Sequence, residues 1–231
     1  MGTVEGFQPV DEHAQGDEPG RGAAPGPAAV KTLYGSTTSP YTRKVRVLLR
    51  AAGLAPTFVD TRSEEGAAAL SRIAPLGKIP VVELAGPHDD GAPPVLADSG
   101  LIAAWLWAKH EPAMRVAGFD LSADAWGDRA LTIAVEGALD AAINRFYLLR
   151  DKLPDQGYVT RQRDRVATTL AWLEARMPAF GRPVSAAALS LGCGLDWMIF
   201  RAVVDLARFP RLAAFRAAWA ASGLGAGSEP G

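Results

Sequence analysis

Cysteine is the scarcest chemically reactive residue in this chain, which has only Cys193 among 231 residues. A single cysteine excludes an internal disulfide and suits a reducing cytosol. Histidine is nearly as scarce, and His13, His88 and His110 lack the spacing that zinc sites require. The sequence therefore predicts neither a disulfide framework nor a metal centre, and Cys193, between two glycines, is predicted to be a small core residue.

Net charge and long apolar runs are also lacking. The 24 basic and 25 acidic residues leave a formal charge of −1, so no global field attracts nucleic acid. No apolar run approaches the roughly 18–20 residues that a membrane-spanning helix needs. A hydrophobic content of 48% with 21% charged residues is typical of a soluble protein with a packed core. We expect a cytoplasmic protein of one large or two small domains.

The two ends of the chain lack periodic hydrophobicity. Residues 1–28 are rich in glycine, alanine, proline and acidic residues, and this composition predicts a disordered tail without the apolar core of a secretory signal. Residues 223–227, Gly-Leu-Gly-Ala-Gly, predict a flexible C-terminal end. Between these ends we expect a first domain at 29–112 and a second at 121–222.

A Ser-Pro-Tyr-Thr segment at 39–42 lies between a predicted strand near 30–34 and a predicted helix from about 41 to 53. Serine before a proline at the first helical position is a typical helix start, and is often only a cap. The Ser39 hydroxyl would also lie beside unpaired N–H groups at the positive end of the helix dipole, where an anion such as a thiolate is favoured. The basic residues of this helix are expected on a solvated face: Arg43, Lys44, Arg46 and Arg50.

A second segment places Lys78, Ile79 and Pro80 at the start of a predicted strand over 79–84. Proline is poorly tolerated inside a strand, so two interpretations are open. Pro80 is either a trans residue that opens an edge strand, or it follows a cis bond that exposes the polar backbone groups of Ile79.

A third segment ends a predicted strand near 94–98 with Asp98 and Ser99, ahead of a helix predicted to stop before Pro112. Either residue is a suitable N-cap. An acid followed by a hydroxyl at a helix N-terminus can also hold a ligand that carries both an ammonium and a carboxylate group. Asp98 would pair with the ammonium, and Ser99 would take the carboxylate.

Taken together, these three segments resemble the motifs of glutathione S-transferases in their order and separation. Ser-Pro-Tyr-Thr is also similar to the Cys-Pro-Tyr-Cys motif of glutaredoxins, with both cysteines replaced. That replacement argues against disulfide exchange and matches the serine-type transferases of bacteria. The resemblance covers about residues 30–220. It implies an α/β plus all-α architecture, in which a thioredoxin-like βαβ-ββα domain precedes an all-helical C-terminal domain.

The resemblance also implies a function and a site. It implies a transferase that activates the thiolate of glutathione, its co-substrate, for attack on a small hydrophobic electrophile. It further implies a homodimer that has no metal and that binds neither nucleic acid nor membrane. A second hypothesis is a low-activity glutathione-binding or partner-binding regulatory protein with the same fold. The implied catalytic residue is Ser39, with Thr38 and Tyr34 as rivals for the sulfur contact, and the implied glutathione-binding residues are Lys78, Ile79, Pro80, Asp98 and Ser99.

The remaining sequence predicts helices near 122–152, 158–178 and 185–206, and another after Pro210. The third of these is expected to be central, and Ser185 can cap it although Ala188 lacks the acidic side chain of a capping box. The tryptophans are expected in the core: Trp105, Trp107, Trp126 and Trp197. Candidates to line an electrophile pocket are Asn144, Arg145 and Tyr147.

Overall fold

The computed structural model describes residues 29–86, 91–122 and 126–231. The predicted tail at 1–28 lies outside the described residues, as do His13 and His88. The first half contains β1 (Ala29–Gly35), α1 (Pro40–Ala51), β2 (Thr57–Asp60), α2 (Glu64–Ile73), β3 (Val81–Ala85), β4 (Val95–Ala97) and α3 (Ser99–Val116). The second half contains α4 (Trp126–Arg150), α5 (Tyr158–Arg176), α6 (Ala186–Phe200), a 3₁₀ turn (Leu206–Arg208) and α7 (Pro210–Ala221).

The strands form one mixed sheet in the order β2-β1-β3-β4. The β1–β2 pair is parallel, whereas β1–β3 and β3–β4 are antiparallel. A parallel pair needs a crossover connection, which α1 supplies, and the antiparallel pair β3–β4 needs only a loop. The predicted thioredoxin-like domain followed by an all-helical region is confirmed.

The prediction that the third helix stops before Pro112 is wrong. Helix α3 continues to Val116, and its backbone departs from helical geometry only at His110, where φ is −130° and ψ is 21°. Proline lacks an N–H and its ring clashes with the carbonyl four residues earlier in a continuous helix. The break at His110 places Pro112 in the first turn of the second segment, where no intrahelical N–H is required.

Helix α6 is the centre of the second half, as predicted. Its residues from Ala187 to Met198 are all buried, and Cys193 is among them. A Cβ atom added at Gly192 would lie 2.5 Å from Trp219 of α7, so only glycine permits this helix contact. Ser185 caps the helix through Ala188 N–H at 3.2 Å, and Asp128 of α4 accepts from Ala187 N–H at 3.3 Å. A neighbouring helix therefore supplies the acid that the local sequence lacks.

The prediction that all four tryptophans lie in the core is wrong for Trp126. Trp105 and Trp197 are buried, but Trp126 is 80% exposed. Trp126 is the first residue of α4, whereas the buried residues of that helix begin at Val135. The guanidinium of Arg129 covers the Trp126 ring at 5.2 Å from its centroid.

The prediction that the basic residues of α1 form a solvated face holds for Arg50, which is exposed, but is wrong for Arg43 and Lys44. Arg43 and Lys44 are only 3% and 4% exposed. Arg43 donates to Asp196 of α6 at 2.5 Å, and Lys44 donates to Glu136 of α4 at 2.5 Å. Helix α1 is covered by the sheet on one side and by the second half of the chain on the other, so its polar face became a domain interface.

The predicted flexible end at 223–227 is instead attached to α1, which contradicts the expectation of a free end. Arg46 donates to the Gly227 carbonyl at 3.1 Å, and Arg50 donates to the carbonyls of Ala226 and Leu224. These backbone acceptors carry no sequence signal, because any residue offers the same carbonyl. Residues 222–231, which we term the C-terminal strap, therefore lie along the first domain.

Candidate active site

The sheet brings the three sequence motifs to one edge. Tyr34 at the end of β1 pairs with Val81 at the start of β3, and Val81 pairs with Ala97 at the end of β4. The segments that follow Tyr34, precede Val81 and follow Ala97 therefore emerge side by side. Adjacent strands are about 4.8 Å apart, so the three motifs span roughly 10 Å. A peptide-sized ligand can contact all three at once.

Ser39 occupies the first of these segments and is the N-cap of α1. Its backbone is extended, with φ −77° and ψ 125°, and its Oγ accepts from the N–H of Thr42 at 3.2 Å. A hydroxyl that accepts through a lone pair still has its own hydrogen to donate. The side chain is half-buried. Ser39 is therefore placed to donate to an anion that approaches the positive end of α1.

Gly35 allows the end of β1 to pack directly against the first turn of α1. A Cβ atom at Gly35 would lie 2.4 Å from Cγ2 and 2.6 Å from Oγ1 of the buried Thr42. Only glycine permits this approach of the strand end to the first turn of the helix. The Ser39 hydroxyl is thereby held on a short, closely packed connection.

The second segment has the cis Ile79–Pro80 bond that one of the two interpretations predicted. Ile79 is half-buried and lies outside the β1–β3 ladder, whose nearest pair is Tyr34–Val81. Lys78 is exposed. The backbone of Ile79 thus sits at the sheet edge between the other two segments, and Lys78 extends into solvent beside it.

Asp98 and Ser99 form the third segment at the start of α3. Asp98 is the N-cap, and its Oδ1 accepts from the N–H groups of Gly100 at 2.7 Å and Leu101 at 3.2 Å. Its φ of 81° is a strained conformation for a residue other than glycine, of the kind that clusters at functional sites. Ser99 is only 4% exposed, so its hydroxyl can reach only a ligand seated against the first turn of α3.

The two rivals for the Ser39 role are both engaged with other groups. The Tyr34 hydroxyl donates to Glu83 at 2.6 Å, and this hydrogen bond, with burial, raises the pKa of Tyr34. The Thr38 hydroxyl lies 3.3 Å from that of Ser36 within the loop. Neither occupies a helix N-cap as Ser39 does.

The sequence analysis missed Tyr41 as a contact between the two halves of the chain. The Tyr41 hydroxyl donates to Asp140 Oδ1 at 2.6 Å and lies 3.3 Å from the Glu136 carbonyl of α4. Burial, followed by the hydrogen bond to Asp140, raises the pKa of Tyr41, so this phenol stays neutral. The spacing of apolar residues in α1 gave no signal that Tyr41 contacts the helical domain. The contact fixes the first turn of α1, and hence Ser39, against the helical domain.

One residue suggested for an electrophile pocket lies elsewhere. Arg145 pairs with Asp155 at 2.8 Å and lines a cavity with residues of α5, and no residue of the three motifs lines that cavity. Asn144 and Tyr147 are exposed on α4. Among the described residues, no group of His, Cys, Asp and Glu side chains could hold a metal ion. In the same part of the chain, no helix is long and apolar enough to cross a membrane.

Comparison with known proteins agrees with this geometry. Residues 33–113, which contain all three motifs, match the family model of the glutathione S-transferase N-terminal domain. Residues 33–113 therefore form a glutathione S-transferase N-terminal domain, and the fold of the chain is that of the glutathione S-transferases. No curated protein sequence matches the chain significantly.

Solved structures of glutathione S-transferases extend the similarity over the helical domain. A glutathione S-transferase from Methylobacillus flagellatus with bound glutathione is 26% identical, with a TM-score of 0.68 over 87% of this chain and 99% of that one. A family member from Pseudomonas fluorescens Pf-5 with bound glutathione is 27% identical, with a TM-score of 0.67 over 87% and 98%. Maleylacetoacetate isomerase from Anaeromyxobacter dehalogenans, with glutathione in its active site, is 27% identical, with a TM-score of 0.64 over 88% and 96%.

Proposed function

We propose that this protein is a cytoplasmic glutathione transferase in which Ser39 stabilises the glutathione thiolate. The observation that carries the proposal is the meeting of the Ser39, Ile79 and Asp98–Ser99 segments at one sheet edge. Two helix N-termini, those of α1 and α3, begin at this edge. Both favour negative charge, and glutathione offers a thiolate for one and a carboxylate for the other.

In this proposal the thiolate sulfur accepts a hydrogen bond from Ser39 Oγ, while Oγ accepts from Thr42 N–H. A free thiol has a pKa of about 8.5, and lowering it by about two units requires ~2.7 kcal/mol of preferential stabilisation of the anion. A hydrogen bond to a charged group contributes about 1.5–3 kcal/mol. One well-placed hydroxyl and the helix dipole are therefore sufficient to populate the thiolate near neutral pH.

The remaining parts of glutathione would be held along the same edge. The backbone of Ile79, ahead of Pro80, would pair with the cysteinyl residue of the tripeptide. Ser99 would donate to the γ-glutamyl carboxylate, and the exposed carboxylate of Asp98 would accept from its ammonium group. Lys78, which is exposed beside Ile79, would meet the other carboxylate of the ligand. These contacts orient the sulfur toward Ser39.

The chemical step would be attack of the thiolate on a small hydrophobic electrophile. Sulfur forms a bond to the electrophilic carbon, the leaving group departs with its bonding electron pair, and the thiol proton has already passed to solvent. Holding both reactants in one cleft supplies part of the acceleration by proximity. In this proposal the cleft lies between the sheet edge and the helical domain, and the hydrogen bond from Tyr41 of α1 to Asp140 of α4 supports that position.

Substitution of Ser39 tests the catalytic assignment. Ser39→Ala removes the hydrogen bond to sulfur, so we expect kcat/KM for conjugation of glutathione to an activated aryl chloride to fall about 10–100-fold. The same change also removes a helix cap, which costs about 1 kcal/mol of stability. Ser185→Ala is the matched control, because Ser185 caps α6 with the same 3.2 Å bond away from the three motifs.

The outcomes separate the hypotheses. Loss of activity in Ser39→Ala, with Ser185→Ala fully active at a similar loss of stability, supports the proposal. Equal turnover in Ser39→Ala and the parent protein would contradict the assignment, and a loss found only in Thr38→Ala would transfer the role to that rival. Saturable glutathione binding without turnover of any electrophile would favour the binding or regulatory hypothesis.

We also infer a homodimer. Large apolar side chains on α3 and α4 support it, since Leu101, Trp126 and Ile133 are 52%, 80% and 73% exposed in the single chain. Trp126 and Ile133 are seven residues apart and so share one face of α4, and exposed apolar side chains on one face mark interaction surfaces. Light scattering should give twice the chain mass of 24.3 kDa. A monomer at micromolar concentration would contradict this inference.

A further inference from the structure

Asp140 of α4 is an acidic residue without a basic partner in the described part of the chain. Its Oδ1 accepts from the Tyr41 hydroxyl at 2.6 Å, and the residue is otherwise exposed. Among the described residues, no arginine or lysine side chain forms an ion pair with it. A carboxylate has two acceptor oxygens, so Oδ2 and the negative charge remain available to a ligand.

Two other carboxylates close to Tyr41 are compensated or would be in the complex with glutathione. Glu136 of α4 accepts from Lys44 at 2.5 Å. Asp98 would pair with the ammonium group of glutathione under the proposed function. Of these three carboxylates, Asp140 is therefore the one that keeps an uncompensated negative charge when glutathione is bound.

The combined effect of the three carboxylates is felt at the Tyr41 hydroxyl. Burial raises the pKa of Tyr41 most, and the hydrogen bond to Asp140 raises it further. The charges of Asp140, Glu136 and Asp98 raise the same pKa. Like charges disfavour ionisation when they are close, so this part of the domain interface is electronegative. Such a potential attracts a cationic group and repels a carboxylate.

The electronegative wall lies close to the proposed thiolate. Tyr41 follows Ser39 by two residues in the first turn of α1, in which each residue rises by about 1.5 Å. An electrophile must approach the sulfur within about 3.5 Å to react. A substituent on the side of the electrophile that faces α4 would therefore meet Asp140.

Asp140 lies beyond the apolar side chains that we assign to the homodimer. It is seven residues, or about 10 Å, further along α4 than Ile133, and its partner Tyr41 belongs to the same chain. The central parts of protein interfaces are depleted of charged residues. An unpaired carboxylate is therefore better suited to the substrate cleft than to the dimer contact.

We infer that Asp140 determines substrate specificity, and that it makes the cleft favour electrophiles with a cationic group over those with a carboxylate. The inference rests on the proposed transferase function. In the chemical step the glutathione sulfur forms a bond to the electrophilic carbon, and a halide leaves with the electron pair of the broken carbon–halogen bond. The thiol proton has already passed to solvent. The cationic group takes no part in these bonds and acts only through its distance from Asp140.

Three amides of 4-chloro-3,5-dinitrobenzoic acid test the inference, because they share one reacting ring and differ in a remote charge. The amide nitrogen carries a 2-(trimethylammonio)ethyl, a 2-hydroxyethyl or a carboxymethyl group, which is cationic, neutral or anionic. Each kcat/KM is divided by the rate constant of the uncatalysed reaction with glutathione. We expect the cationic amide to exceed the anionic one at least about tenfold at low ionic strength. Even in water, unit charges about 4 Å apart change an affinity about fivefold, in opposite directions for a cation and an anion.

Asp140→Asn separates the charge from the structural contact. An asparagine oxygen still accepts from Tyr41, so the contact between α1 and α4 is kept while the charge is lost. The cationic-to-anionic ratio should fall below about threefold. Asp164→Asn is the matched control, because Asp164 is an exposed acid of α5 that pairs with Arg163 at 3.1 Å, and it should keep the parent ratio.

Salt provides a measurement that needs no variant. About 0.5 M sodium chloride should lower the ratio in the parent protein, because it screens exposed charges. A ratio near one, a preference for the anionic amide, or an unchanged ratio in Asp140→Asn would overturn the inference and leave the transferase function standing. Turnover of neither the amides nor the activated aryl chloride used for Ser39 would overturn the proposed function, and the inference with it.

Discussion

Asp98 and Ser99 are neighbours in sequence, but only Asp98 caps α3, which leaves the Ser99 hydroxyl for the proposed contact with glutathione. Asp98 Oδ1 caps α3 through Gly100 and Leu101, so the helix start does not depend on the Ser99 hydroxyl. We expect Ser99→Ala to weaken glutathione binding about tenfold, with thermal stability and kcat at saturation nearly unchanged. Calorimetry with Ser71→Ala, an exposed serine of α2, as control measures the affinity. Unchanged affinity would mean that the γ-glutamyl group is held elsewhere.

Cys193 provides a second test at the residue scale. Burial raises the pKa of its thiol to about 12, so the thiol stays protonated and inaccessible in the native protein. A chromogenic disulfide reagent at pH 8 should detect no thiol until denaturant is added. Because the unfolded thiol ionises at a lower pH, the free energy of unfolding should fall as pH rises from about 8.5 toward 12. Rapid labelling of the native protein would contradict this burial.

The C-terminal strap is the element whose observed contacts differ most from what its composition predicts. Residues 223–227, with three glycines, predict a mobile end, yet the arginines of α1 donate to carbonyls of this segment. The Thr37 hydroxyl also donates to the Gly231 carbonyl at 2.7 Å. We expect Arg46→Ala combined with Arg50→Ala to increase amide hydrogen exchange in the strap, while the sheet remains protected. Substitution of exposed Arg72 in α2 is the control. Equal exchange in both variants would show that the strap is held by other contacts.

At the scale of the whole molecule, Arg43 joins the two domains. Asp196 accepts from Arg43 at 2.5 Å, from Arg216 at 2.8 Å and from Trp219 Nε1 at 3.1 Å. Removing one partner of a buried ion pair costs about 3–5 kcal/mol, so Arg43→Met should strongly lower the free energy of unfolding measured in urea. Arg62→Met, which breaks the exposed 2.7 Å pair with Asp60, should change it little. Similar small effects would contradict a structural role for the Arg43 pair.

The domain interface also explains which features the sequence could predict. The Ser39 cap follows from local rules, so it was predicted from a few adjacent residues. For Pro80 and for the cap of α3, local rules left two alternatives each, and the structure has the cis Ile79–Pro80 bond and the Asp98 cap. Burial of Arg43 and Lys44 depends on residues more than 90 positions away, and local periodicity predicted only a polar face. The Tyr41–Asp140 contact was missed for the same reason. Long-range partners of polar side chains leave no periodic signal in one sequence.

The central claim is that the α1 N-terminus binds glutathione as its thiolate. The most direct test is calorimetric titration with reduced glutathione at pH 7 in two buffers of different ionisation enthalpy, which measures proton release on binding. Saturable binding with release of the thiol proton, lost in Ser39→Ala but retained in Ser185→Ala, is the predicted result. Absence of binding at millimolar glutathione, or binding without any proton release, would contradict the account.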